Sequence, residues 1–326
     1  MPILPTQPTV VITRHLPAAA LDPIRAVADV RYWDQDQPIP RSTLLKWVAG
    51  ADGLYCLLTE KIDVELLGAA GPSLRVVSTM SVGYDHIDVA ACSARNVLIG
   101  NTPGVLTETT ADLALGLILA TARRITEAAE AVKAGEWAAW RPEWMTGADL
   151  HGSTVGMVGL GRIGLATARR LTGFGCRLLY TGPRPHPDAA AQVNAEFVDF
   201  PTLLTESDFV SIHCPLNQST RHLFGPDVFA AMKSTAILVN TSRGPVIDQA
   251  ALFTALTTGQ IAAAGLDVTD PEPLPADHPL LTLPNCVILP HIGSASTATR
   301  LKMAMMAAQN LVAGVTAQDL PFCVNC

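Results

Sequence analysis

Short runs rich in Val, Ile and Leu alternate with helix-like stretches along nearly the whole chain, and one such pair is joined by Gly159-Leu160-Gly161-Arg162-Ile163-Gly164. That alternation constrains the fold most. A strand followed by a helix and then another strand builds a parallel sheet covered by helices on its faces. The run TVGMV predicts a strand and RIGLATARRL a helix, so the glycine loop lies at the carboxyl end of the strand. There Gly159 permits the tight turn, Gly161 lets a pyrophosphate approach the backbone, and Gly164 lets helix and strand pack closely. The helix N-terminus, with Arg162 and Ile163 in its first turn, then faces the anion. A lone GxGxxG is a weak signal, but one set between a strand and a helix marks a dinucleotide site.

The strand candidates form two groups. TVVIT, VRYW, GLYCLL, RVVSTM and VLIGN come first, and TVGMVGLG, RLLYTG, DFVSIHC, AILVNTS, AAAGLDV and CVILPH follow. The chain has 326 residues, 49% of them apolar, which is material for two cores. The fold class is therefore α/β, with two Rossmann-like open parallel-sheet domains and a cleft between them. A helix from about Glu108 to Ala134, capped by Thr107 and stopped by Gly135, is the expected crossover. The last helix, from about Ser296 to Ala313, has Met303, Met306, Leu311 and Val312 to bury and is expected to return to the first domain. The expected division is residues 1–103 plus 290–326 as a discontinuous substrate-binding domain and 104–289 as the dinucleotide-binding domain.

A net charge of -7 argues against nucleic acid or a membrane surface as partner. The start, with Pro2, Pro5 and Pro8, does not read as a signal peptide, and ADLALGLILATA is too short to span a bilayer and contains Asp112. Seven cysteines, mostly in apolar runs, suit the reduced thiols of a cytoplasmic protein. Cys323 and Cys326 form a CxxC that is expected to fray with the tail. No HExxH or Cys/His cluster occurs, so no metal is expected, and His15, His86, His151, His213, His222 and His278 are given no special role.

Three charged residues stand where strand-like runs give way to turns: Arg243 in VNTSRGPVID, Glu272 in DPEPLP and His291 in LPHIGSA. Arg grips a carboxylate with its planar fork, His passes a proton near neutral pH, and a carboxylate beside an imidazole favours its protonated form. Together they are the toolkit for reducing a 2-keto acid. The strand after the glycine loop ends at Gly182, where an NAD site carries an acid. The missing acid removes repulsion against a 2'-phosphate, and Arg184 with His186 can bind one, so NADP(H) is favoured and NAD(H) is possible.

With the glycine loop and the three charges in one chain, the sequence resembles the D-2-hydroxyacid dehydrogenases over nearly its whole length. VSTMSVGYDHID, TPGVLTETTADLAL, VGLGRIG, VNTSRGPVID, GLDVTDPEPLPADHPLL and ILPHIGSA are most similar to the glyoxylate reductase/hydroxypyruvate reductase branch. The resemblance implies NADPH-dependent reduction of glyoxylate to glycolate and hydroxypyruvate to D-glycerate. It implies His291 as general acid, Glu272 as the holder of its imidazole, and Arg243 as the ligand of the substrate carboxylate and carbonyl. Val82 and Gly83 would offer backbone N–H groups to the carboxylate, and Gly293 and Ser294 would close the pocket. Asp267 and Thr110 would meet the nicotinamide region, while Thr241 and Pro215 would line the cofactor path. The chain departs from its relatives in one respect: they tend to carry Arg directly after the glycine, where this chain has Pro183 and places Arg184 one position later.

After the crossover helix come Trp137, Trp140 and Trp144, in an arm that in this family embraces a second subunit. A homodimer is expected, with Trp140 restricting the partner's pocket to small keto acids. The same resemblance leaves open a sister activity on 3-phosphoglycerate or a longer keto acid, and a non-enzymatic nucleotide-sensing corepressor scaffold.

Overall fold

The computed structural model describes residues 7–326, so Pro2 and Pro5 lie outside the described part. The chain divides into two compact units, one ending at Leu106 and resuming at Ala295, the other being Thr107–Ser294. The first holds five strands, β1 (Thr9–Ile12), β2 (Asp29–Tyr32), β3 (Gly53–Cys56), β4 (Val76–Thr79) and β5 (Leu98–Gly100). They pair in parallel in the order β2-β1-β3-β4-β5. The second unit holds β6 (Thr154–Val158), β7 (Arg177–Thr181), β8 (Glu196–Phe197), β9 (Phe209–Ile212), β10 (Ile237–Asn240), β11 (Ala263–Leu266) and β12 (Cys286–Ile288). Its order is β12-β11-β10-β9-β6-β7-β8, again parallel throughout.

The alternation of side chains along each strand sorts the core. Val11, Leu54, Cys56, Val77 and Ile99 join one buried cluster of the first unit, whereas Val10, Ile12, Tyr55 and Val76 join the other. The helix Thr297–Val315 covers the second of these clusters with Ala304, Ala307, Ala308 and Leu311. In the second unit Val155, Met157, Leu178 and Tyr180 face one way and Val158, Val210, Ile212 and Leu238 the other. Two buried faces explain why the strands read as unbroken apolar runs. Each fully covered Val, Leu or Ile contributes about 1.5–3 kcal/mol relative to exposure.

In the seven-stranded sheet the chain builds outward from β6 through β7 to β8, then starts again on the other side at β9. The carboxyl ends of β6 and β9 therefore bound the crevice where such sheets bind ligands.

Four local expectations differ from the structure. The crossover is two helices, Thr107–Ala122 and Ile125–Lys133, because Arg124 adopts a left-handed φ of 52°. The break exposes the carbonyl of Ala122, which accepts from Ala148 N–H at 2.9 Å. Strand β8 was not expected; it is two residues long, and Phe197 packs on Tyr180 with ring centroids 5.2 Å apart. The tail is not frayed. Phe322 N–H donates to Asn310, Val324 N–H to the carbonyl of Ile99, and Cys323 and Cys326 are joined in a disulfide. Finally, the unit boundary after Ser294, not before Pro290, places His291 in the same unit as Arg243 and Glu272. The cause is local, since the segment after β12 is tied to the end of β11 by Asp267.

Candidate active site

Asp267 directly follows β11 and is 1% exposed. Its carbonyl accepts the N–H of His291 at 2.9 Å, and its two carboxylate oxygens accept Ile292 N–H at 2.7 Å and Gly293 N–H at 2.8 Å. Three successive N–H groups are thus fixed by one residue. Burial pushes the Asp267 carboxyl above its ordinary value, against the opposing pull of these donors. His291 itself has φ 55°, a conformation that a side chain other than glycine adopts only when its surroundings hold it there.

So held, His291 meets Glu272 through a short contact between Nδ1 and Oε1. Their side chains are 23% and 32% exposed, open enough to reach a ligand. Arg243 follows the end of β10, where the amide of Asn240 donates to its carbonyl at 2.8 Å. Next to it, a side chain on Gly244 would lie 1.9 Å from the carbonyl oxygen of Thr269, so only glycine lets this turn approach the segment after β11. The trio therefore belongs to the ends of β10 and β11 and to the loop after β12.

The glycine loop has the expected geometry. Gly159 takes φ +101° and donates to the carbonyl of Thr181, and Gly161 caps the helix Arg162–Thr172, which presents Arg162 and Ile163 in its first turn. A Cβ on Gly164 would lie 2.2 Å from the Gly159 carbonyl, whereas one on Gly161 would meet nothing within 4 Å. That open side, together with a buried Thr241 Oγ1 that has no partner among the described residues, fits a dinucleotide. Thr110 and Gly293 are in reach of each other, with a Cβ on Gly293 lying 3.3 Å from the Thr110 methyl carbon. Ser294 is buried beside them in sequence, and Pro215 follows β9 on an exposed loop. After β7, Gly182 is half-buried and Arg184 exposed, while His186 N–H donates to the hydroxyl of Tyr180.

Val82 and Gly83 lie in the first unit, after β4, and are partly exposed. Trp140 is 83% exposed and Trp137 is 64% exposed. Sequence reasoning passed over two histidines that lie among these residues. His213 directly follows β9, and its backbone would meet a Cβ on Gly159 at 3.1 Å. Burial pushes its pKa down to about 4, so it stands neutral beside the glycine loop. His86 reaches Thr79 through Nε2 at 3.0 Å, in the turn that follows Gly83. Neither carries a motif that sequence could flag. Among the described residues no group of three or more His, Cys, Asp or Glu side chains could hold a metal ion, and no helix is long and apolar enough to cross a membrane.

Residues 115–293 match the family model described as D-isomer specific 2-hydroxyacid dehydrogenase, NAD binding domain. A glyoxylate reductase/hydroxypyruvate reductase of Homo sapiens is 52% identical over 315 residues, 96% of each chain. A crystal structure of a protein from Thermus thermophilus superposes with a TM-score of 0.90 at 45% identity, covering 97% of this chain and 99% of that one. An NADPH-dependent glyoxylate/hydroxypyruvate reductase from Sinorhizobium meliloti, solved with NADP and malonate, has a TM-score of 0.85 at 32% identity, covering 98% and 97%.

Proposed function

The chain belongs to the D-isomer specific 2-hydroxyacid dehydrogenases, and from that premise we propose that it reduces small 2-keto acids, glyoxylate to glycolate and hydroxypyruvate to D-glycerate, with a nicotinamide cofactor. The observation that carries this reading is the Glu272–His291 pair, built with Arg243 into the unit that also holds the glycine loop. The cofactor, when bound, supplies the hydride. The chain supplies position and the proton. With Nδ1 engaged by Glu272, His291 delivers its proton from Nε2 to the carbonyl oxygen as the carbonyl carbon is reduced. Arg243 binds the carboxylate and carbonyl through its guanidinium fork. Val82 and Gly83 offer N–H groups to the carboxylate, and Gly293 and Ser294 close around the substrate.

For the cofactor, Gly159, Gly161, Arg162, Ile163 and Gly164 take the pyrophosphate, Thr241 and Pro215 line its path, and Thr110 and Asp267 lie by the nicotinamide. NADP(H) is the preferred form, with Gly182 in place of an acid and Arg184 and His186 set to meet a 2'-phosphate. The NADP-bound Sinorhizobium relative supports that choice. Exposed Trp137 and Trp140 support a homodimer, and the five free cysteines a cytoplasmic location.

Initial rates with glyoxylate, hydroxypyruvate, pyruvate and 3-phosphohydroxypyruvate, each with NADPH and NADH, test this reading. The first two substrates with NADPH should be fastest, and His291→Gln should lower kcat by about 10²–10⁴. No turnover of any keto acid, or near-normal turnover by the variant, would sink it.

A further inference from the structure

The turn after β4 has its carbonyls tied down one after another. Ser81 C=O accepts from Thr102 N–H at 2.9 Å, Val82 C=O from Asn101 Nδ2 at 2.9 Å, and Gly83 C=O from Ser81 Oγ at 2.7 Å. In a planar trans peptide the carbonyl of one residue and the N–H of the next point in opposite directions. Fixing these carbonyls therefore fixes the N–H groups of Val82, Gly83 and Tyr84 on the opposite side. No acceptor for the N–H of Val82 or Gly83 is found among the described residues, and both residues are partly exposed. Successive outward N–H groups of this kind form a concavity suited to an anion.

The tethers are themselves anchored. Asn101 is only 8% exposed. Its N–H donates to the carbonyl of Phe322 at 3.1 Å, and its carbonyl accepts from the fully buried Asn310 at 2.9 Å, so its backbone is held on both sides and its amide is aimed at Val82. Ser81 is oriented by a chain of hydroxyls. Its single hydrogen goes to Gly83, so at the 2.8 Å contact with Thr79 it must accept. Thr79 has then spent its own hydrogen, and at 3.0 Å it accepts one from His86 Nε2. The direction of every bond follows from the first.

We propose that Asn101 and Ser81 are positioning residues for the substrate carboxylate: Asn101 holds the Val82–Gly83 peptide and with it the Gly83 N–H, while Ser81 holds the following Gly83–Tyr84 peptide and so, with the Thr102 N–H on its own carbonyl, fixes the turn whose Val82 and Gly83 N–H groups converge on the carboxylate. The proposal rests on the reductase reading above, in which those N–H groups receive the carboxylate. Neither side chain touches substrate. Each acts by removing the freedom of a peptide plane to rotate, so the loss falls on binding of the acid rather than on proton or hydride transfer.

The test uses the full-length protein with Asn101→Asp, which keeps the shape but sets an acceptor against the Val82 carbonyl, and Ser81→Ala, which removes one hydroxyl. The KM for glyoxylate should rise about five- to tenfold in each, the worth of one oriented hydrogen bond, while kcat changes by less than about threefold. Binding of oxalate to the cofactor-saturated enzyme, followed by calorimetry, should weaken by the same factor, and the cofactor Kd should stay put. Unchanged oxalate affinity in both variants overturns the proposal. So does a parallel loss of cofactor affinity and melting temperature, which would mean general loosening. If the unaltered protein binds oxalate and the variants weaken it, yet no keto acid turns over, only the reductase reading falls. If the unaltered protein binds no oxalate, both fall.

Discussion

Asp267 shows how much one residue can decide. The left-handed backbone of His291 costs on the order of 1 kcal/mol or more, and something must hold it in place. Asp267 does so with its carbonyl and both carboxylate oxygens, accepting from residues 291, 292 and 293. A hydrogen bond to a charged group contributes roughly 1.5–3 kcal/mol, against which burial of the carboxylate takes some back. Asp267→Asn keeps one acceptor but turns an N–H toward a donor. We expect a net destabilisation of about 1–3 kcal/mol in urea unfolding, with kcat falling because His291 no longer holds its place beside Glu272. Unaltered turnover in that variant would show that the imidazole is held by other means.

At the scale of elements, the glycine loop and its helix separate two demands that the motif merges. Gly164 serves the fold: a Cβ there would lie 2.2 Å from a backbone carbonyl that cannot give way. Gly161 is not required by the fold, since a Cβ there meets nothing and its φ of -75° is ordinary, so we propose that it serves the ligand. Gly164→Ala should therefore destabilise the protein by about 1–3 kcal/mol. Gly161→Ala should leave the melting temperature nearly unchanged, the small loss at a helix cap being offset by a less flexible unfolded chain. Its effect should instead be a cofactor Kd raised by about tenfold or more, read by titrating the fluorescence of the reduced nicotinamide. Equal effects of the two substitutions on stability would contradict this division. Strands and the loop between β6 and its helix were legible because their signals are local: apolar runs, glycines at set spacing, a terminating turn. The break at Arg124 was not, because the group that takes up the freed carbonyl of Ala122, the N–H of Ala148, lies more than twenty residues further on. The tail misled for the same reason. Its partners Ile99 and Asn310 lie in β5 and the last helix, and a CxxC pattern says nothing of them.

For the whole molecule, the arm that carries Trp137 and Trp140 holds two of the large apolar side chains that the described residues leave exposed. Two indoles at 64% and 83% exposure are costly to keep in water, and a second copy of the chain is the partner we propose for them. Trp137→Ser together with Trp140→Ser should bring the light-scattering mass down to that of one chain, and Trp140→Ala alone should relax the preference for hydroxypyruvate over bulkier keto acids. A mass and a substrate ratio that both stay the same would refute that arrangement. Two parallel sheets, the glycine turn between a strand and its helix, and the placement of Arg243, Glu272 and His291 in strand-end loops could be read from the order of residues, because each is written in local residue types and spacings. Which residues hold those loops in place became visible only on folding. Asp267 behind His291, and Asn101 and Ser81 behind Val82 and Gly83, are ordinary polar residues whose significance comes from the backbone groups that folding sets against them.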